Sequence, residues 1–391
     1  MLFQALDNKQ ECYKIFFNGK LIDDYRLEDL THTWAPSSHV KDRDIQYAKI
    51  WCGGKSLSEV CPQHLKSRWT KVNEQALVYL KTFKNAKVNL DDVCFYDLVP
   101  DKFLINFYQI KNQITQHVFE NFEKPKNYSF LRNLLLLTED IKLNKLNIDM
   151  GNIDFSNTKA RQNVSKIKNC SNYIHYNPWG TVTGRMTTEK NSFPILTLNK
   201  ELRSALKPTN DLFVELDYNA AEVRVLLALL GEKQPEGDIH SWISKNVFNE
   251  KIDRESTKKK VFAWLYNPKA KNKKLNDFLD RDKIYQKYYD NGILTPYGRH
   301  ISVDEQKALN YLIQSTSSDM LLKSAIRINK ILNNKKSFVS FCVHDSVVID
   351  MSAQDKDYLN EIIKTFSKTD FGKMKSSVSI GKDFGRMREI L

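Results

Sequence analysis

Closely spaced cysteine pairs are missing from this chain. Its six cysteines, Cys12, Cys52, Cys61, Cys94, Cys170 and Cys342, form no Cys-x-x-Cys pair and show no disulfide framework. Cys61 and His64 have a ligand-like spacing, but a zinc site needs four ligands and no clear partners follow. Thiols scattered in this way fit a reducing cytoplasm. The N-terminus lacks the apolar core of a signal peptide, and no window approaches the ~20 apolar residues of a membrane span, so no membrane partner is expected. Internal repeats and low-complexity tracts are missing too, which excludes solenoids and compositional linkers.

What the chain does have is length and positive charge. With 391 residues it exceeds one ordinary core, so two or three subdomains are expected. The formal net charge is +13 and the isoelectric point is near 9.2. Such a balance points to a polyanion, most often nucleic acid; the plainer alternative is a lysine-rich surface kept for solubility.

Residues 1 to about 95 look irregular, with loops at Ala35-Pro36-Ser37-Ser38 and Cys52-Gly53-Gly54. Helical patterning is expected over Pro62–Phe83, Phe103–Phe122 and Phe130–Leu146. Beyond Ser171 the character changes. Phe213–Tyr218 reads as a strand, and an apolar helix, Ala220–Leu230, follows and stops at Gly231. Gly237-Asp238-Ile239-His240 opens a further helix. Residues 251 to 290 read as lysine-rich helix broken near Asn267-Pro268, and Gln306–Leu332 as a long helix. Phe338–Met351 reads as two short strands around a turn at His344-Asp345, before a helix at Tyr358–Phe366 and a strand near Val378.

Arg254, Lys258, Phe262 and Tyr266 recur every four residues. Such a step turns about 400° on a helix, so they form one drifting stripe, two cations followed by two rings. Cations suit phosphate oxygens and rings suit a base or sugar, so the stripe matches a nucleoside triphosphate. Its plainer alternative is a solvated basic face, with the rings at the core edge. Asp217 ends a strand and Asp345 sits at a hairpin tip. Each has an ordinary structural use, as helix starter or turn residue. Brought together, they could hold two divalent ions about 3.5–4 Å apart for phosphoryl transfer.

At this point the residues resemble the polymerase domain of the family A DNA polymerases. Asp217-Tyr218-x-x-x-Glu222-x-Arg224, Arg254-x-x-x-Lys258-x-x-x-Phe262-x-x-x-Tyr266 and Val343-His344-Asp345 are similar to that family's three main motifs. Thr183-Gly184-Arg185, Asp238-Ile239-His240, Tyr297-Gly298-Arg299 and Asn310-x-x-x-Gln314 fall in family order, and the match covers roughly residues 175 to 391.

The resemblance implies an α+β, right-hand-shaped polymerase with an antiparallel palm sheet and mostly helical fingers and thumb. It also implies two Mg²⁺ ions held by Asp217, Asp345 and the Tyr218 backbone carbonyl. Arg254 and Lys258 would grip the incoming dNTP with His240 helping, and Lys258 would give a proton to pyrophosphate. Phe262 would pack on the sugar, a phenylalanine there being linked to poor use of dideoxynucleotides, and Tyr266 would guard the templating position. Glu222 would exclude ribonucleotides, although Asn219-x-x-Glu222 also fits a capping-box variant. Thr183, Arg185, Arg299, Asn310, Gln314 and His344 would contact primer-template DNA.

Three departures stand out. Ser346 replaces the glutamate that usually follows His-Asp, Ala220 replaces a glutamine, and Asn267 replaces a glycine. The stretch from Tyr266 to Tyr297 is also short for a fingers subdomain. No Asp-x-Glu precedes Asp217, and Asp42-Arg43-Asp44 is only the nearest pattern, so no proofreading exonuclease is expected in this chain. The expected division is 1–99 as an exonuclease remnant or docking module, 100–174 thumb, 175–235 palm, 236–296 fingers and 297–391 palm. The small size suggests a reduced, phage-encoded enzyme working in bacterial cytoplasm, with a separate exonuclease, helicase or processivity subunit as partner. Two alternatives remain: a single-subunit RNA polymerase of related fold, against which Glu222 argues, and a non-catalytic DNA-binding subunit, for which Ser346 leaves room.

Overall fold

The computed structural model describes residues 1–6, 14–23, 30–37, 40–41, 43–90, 92–151, 164–165, 167, 170–267, 270 and 272–391. Cys12, Ser38, Asp42 and Pro268, which figure in the readings above, lie outside them. The chain divides into two units, Met1–Leu143 and Asn144–Leu391.

The first unit carries three short antiparallel strands, β1 (Phe3–Ala5), β2 (Ile15–Phe17) and β3 (Lys20–Ile22), in spatial order. The stretch expected to be irregular thus holds a small sheet. Strands of three residues are too short for a period of two to register in sequence. Three long helices follow, α1 (Lys66–Asn85), α2 (Asp101–Asn121) and α3 (Tyr128–Leu143). Helix α2 joins two apolar clusters: Leu104 and Tyr108 meet Leu6, Phe16 and Phe95, while Ile110, Ile114 and Val118 meet Trp34, Trp69 and Val72. Helix α1 turns Trp69 and Val72 inward and leaves Lys66, Arg68, Lys71, Lys81 and Lys84 exposed. Cys52 and Cys61 are free thiols. Cys94 is disulfide-bonded, which scattered spacing does not announce, because pairing depends on approach in space.

The second unit is built on a five-stranded sheet of β4 (Leu212–Tyr218), β5 (Phe338–Val343), β6 (Ser346–Met351), β7 (Ser376–Gly381) and β8 (Arg388–Glu389), in the order β5-β6-β4-β7-β8. Every pairing in it is antiparallel. Alternation on β4 sends Tyr218 to one face, where it stacks on Phe366 at 4.1 Å and its hydroxyl bonds to Ser324 and the Phe366 carbonyl. Asp217 and Glu215 therefore point to the other face. Helix α4 (Ala221–Leu230) follows at once and ends on Gly231 at φ 82°, the left-handed stop expected. Next come α5 (Ile239–Phe248), α6 (Arg254–Tyr266), the long α7 (Glu305–Ile331) and α8 (Leu359–Ser367). Helix α7 packs against α4, α6, α8 and β5, so it is the spine joining the sheet to the basic helix. The fold class is mixed α+β, as the sequence suggests.

The outer strand β5 is held by a side chain. The Tyr176 hydroxyl donates to the Cys342 carbonyl at 2.6 Å and accepts from the Cys342 N–H at 3.1 Å. Tyr176→Phe leaves both backbone groups unpaired in a buried place, and a loss of about 1–3 kcal/mol is expected in denaturant titration. Among the described residues, no helix is long and apolar enough to cross a membrane.

Candidate active site

Asp217 is the penultimate residue of β4 and lies opposite Ser346 on β6. Asp345 occupies the tight turn between β5 and β6, after His344 in the left-handed region at φ 53°. The Tyr218 N–H points to the Asp345 carbonyl at 3.4 Å, so the two distant aspartates meet at one end of the sheet. Burial, then the Asp345 charge, and then Glu215 and Glu389, push the Asp217 carboxyl up to about 7. Burial raises Asp345 as well, against the pull of Arg185 and His344. Two half-buried carboxylates that repel one another are a donor set suited to a hard divalent cation. Among the described residues, no group of three or more His, Cys, Asp and Glu is arranged to hold a metal. Ser346, where the resemblance leads one to expect a glutamate, donates to Glu215 Oε1 and to the Val343 carbonyl, both at 3.0 Å.

The four-residue stripe lies on α6. Thr257, Val261, Trp264 and Leu265 form the buried face, which leaves Lys258 and Phe262 half-buried and Arg254 and Tyr266 exposed. Phe262 and Tyr266 stack at 5.7 Å with planes 5° apart, and the buried His240 ring lies 6.0 Å from Phe262. Arg254 forks onto Asp238 at 3.0 and 3.1 Å and also pairs with Glu255. Among the described residues His240 Nδ1 is buried without a hydrogen-bond partner, and burial lowers its proton affinity.

The Thr181–Arg185 turn is docked on α7. The Thr183 hydroxyl donates to Gln314 Oε1 at 2.8 Å, and Ser318 donates to the Gly184 carbonyl at 3.2 Å. Asn310 lies one turn before Gln314 on the same helix, and His344 is exposed. Arg299 forks onto the fully buried Asp319 at 2.7 and 3.2 Å. Gly184 sits at φ 77°, and a Cβ there would lie 2.4 Å from the Arg299 guanidinium, so glycine is required on both counts. Of the residues assigned to DNA, Thr183 and Arg299 therefore spend their polar groups inside the protein.

Two features escape sequence reading. Helix α4 starts after Ala220 at φ 48° without a side-chain cap, so the capping box suggested by Asn219 and Glu222 does not form. Glu222 is instead buried against Arg185 at 2.7 Å; burial raises its carboxyl and Arg185 opposes that rise. The other is Arg224. It is fully buried and donates to the carbonyls of Asn219, Pro235 and Gly237 at 2.7–3.0 Å, tying the segment that leads to His240 onto α4. Its place in the first motif was visible; its carbonyl partners carry no signature.

No family model matches the chain. It is 26% identical over 192 residues to the DNA polymerase of Mycobacterium phage D29, across 40% of this chain and 31% of that protein. It is 23% identical over 239 residues to DNA polymerase I of Caldicellulosiruptor bescii, across 47% of this chain and 28% of that protein. A solved POL domain of Pol1 from M. smegmatis, in complex with DNA primer-template and dNTP, aligns with a TM-score of 0.45 and 15% identity, over 72% of this chain and 55% of that one. The chain is a distant homologue of the family A DNA polymerases. It spans less than a third of the length of the curated relatives it matches.

Proposed function

We propose that the chain is a template-directed DNA polymerase that adds dNTPs to a primer 3′-hydroxyl. The observation that carries this is the meeting of Asp217 and Asp345, 128 positions apart in numbering, at one end of the antiparallel sheet. Their carboxylates, with the Tyr218 carbonyl, would hold Mg²⁺. When bound, Mg²⁺ supplies charge stabilisation at the attacking and leaving oxygens of an in-line displacement.

The protein's own groups do the rest. Arg254 and Lys258 would bind the triphosphate, for which Arg254 must leave Asp238. Lys258 would pass a proton to the departing pyrophosphate, and His240 would hold a phosphate oxygen. Phe262 would pack on the sugar and Tyr266 would cover the templating position. Glu222 would occupy the space of a 2′-hydroxyl. Arg185, Asn310, Gln314 and His344 would meet primer and template, with Thr183 and Arg299 shaping that surface. In this scheme residues 175–235 and 297–391 serve as palm, 236–296 as fingers and 100–174 as thumb, and residues 1–99 as a remnant or docking module. The chain would act in a bacterial or phage-infected cell beside a separate exonuclease, helicase or processivity subunit, without proofreading of its own.

Primer extension by the purified chain with Mg²⁺ tests this. Template-dependent products from dNTPs are expected, with NTPs used at least tenfold less well. Binding of primer-template without any extension would point to a non-catalytic subunit, and equal use of NTPs to an RNA polymerase. Exposed lysines also predict that duplex affinity falls steeply with salt, roughly 10³-fold or more between 50 and 200 mM if six or more phosphates are neutralised. A flat response in fluorescence anisotropy counts against a basic cleft.

A further inference from the structure

Glu222 is buried in the first turn of α4, and its Oε1 accepts a hydrogen bond from Arg185 Nη2 at 2.7 Å. Arg185 reaches it from a turn that is itself pinned. Thr183 bonds to Gln314, Ser318 bonds to the Gly184 carbonyl, and the Thr181 hydroxyl donates to the Arg185 carbonyl at 2.8 Å. The guanidinium is therefore delivered from a fixed place on the α7 spine.

A carboxylate only accepts hydrogen bonds, and a ribose 2′-hydroxyl can donate one. A glutamate free to turn an oxygen towards that hydroxyl would thus welcome the sugar that it is supposed to turn away. It could also swing aside, because a glutamate side chain has several rotamers. Engaged by Arg185, the same side chain has one oxygen occupied and one orientation, and it acts as a wall.

We propose, resting on the polymerase reading above, that Arg185 is the positioning residue for sugar discrimination, holding Glu222 in place against the 2′-hydroxyl of a ribonucleoside triphosphate. The test compares kcat/KM for a dNTP and its matching NTP on one primed template, for wild type, Arg185→Ala, Arg185→Lys, Glu222→Ala and the double variant Arg185→Ala/Glu222→Ala. Arg185→Ala is expected to lower the dNTP-to-NTP ratio by about tenfold or more, and Arg185→Lys to keep part of it. In the Glu222→Ala background, removing Arg185 is expected to leave the ratio unchanged, because the two side chains act as one unit. If Arg185→Ala weakens primer-template binding or slows both nucleotides alike, with the ratio within about twofold of wild type, Arg185 serves DNA or the fold alone and the inference is overturned. A wild type that extends no primer sinks the polymerase reading itself. A wild type that extends with a ratio near one leaves that reading standing but removes Glu222, and Arg185 with it, from sugar choice.

Discussion

Asp217→Ala and Asp345→Ala are each expected to abolish primer extension, by about a thousandfold or more, while primer-template binding survives. A thousandfold corresponds to ~4 kcal/mol of lost transition-state stabilisation, within what charge stabilisation by a bound divalent ion supplies. Neither side chain is structural mortar. Asp217 is half-buried beside Asp345 and Glu215, and it faces away from the side of β4 on which Tyr218 packs against Phe366. Removing one of two like charges held out of water relieves repulsion. The melting temperature of either variant in chelator is therefore expected to match or exceed that of wild type. Quenched-flow extension, anisotropy and thermal melting on the same preparations separate these outcomes. A variant that extends near the wild-type rate refutes the shared-ion assignment, and one that melts early would make lost extension uninformative about chemistry.

Arg299→Ala is expected to cost about 3–5 kcal/mol of stability, the scale for removing one partner of a buried ion pair. Asp319 is 0% exposed, and Arg299, at 15%, supplies both of its charge-assisted bonds. Burial already pushes the Asp319 carboxyl above its ordinary range, against the pull of Arg299 and Lys323. With Arg299 gone, only Lys323 opposes burial, so the folded pKa climbs further. A group whose pKa is raised on folding favours the native state below its unfolded value, near 3.9, and loses that favour as pH rises through the folded value. The deficit of the variant relative to wild type should therefore be smallest near pH 4 and grow towards neutrality. Denaturant titrations at pH 5 and pH 7 read this directly. Arg299→Met with Asp319→Leu should recover most of the loss, since an apolar pair leaves no buried charge. A deficit below about 1 kcal/mol would mean that water reaches Asp319 when the arginine leaves.

The parts of this molecule that were legible in sequence are those encoded by neighbours. The strand that carries Asp217, the turn at His344-Asp345, the Gly231 stop and the Arg254–Tyr266 helix each carry a local period or breaker. Even the meeting of the two aspartates follows from strands that share a sheet. What stayed hidden are pairings between segments with no common pattern: Arg185 with Glu222, Arg254 with Asp238, and Arg299 with Asp319. In each, an arginine that the motifs assign to nucleotide or nucleic acid lies against a carboxylate of the protein. A motif names the side chain but not its resting partner, because that partner is chosen by packing on the α7 spine and at helix starts. The three-residue strands of the first unit were hidden for a different reason, since too few residues alternate there.

Manganese binding is the most direct test of the two-aspartate centre, because Mn²⁺ can stand in for Mg²⁺ and is visible by electron paramagnetic resonance and anomalous scattering. Wild type is predicted to bind Mn²⁺ with anomalous peaks between the Asp217 and Asp345 carboxylates, and Asp217→Ala and Asp345→Ala to bind it at least about tenfold more weakly. Mn²⁺ bound equally well by both variants, or peaks elsewhere in the protein, would contradict it.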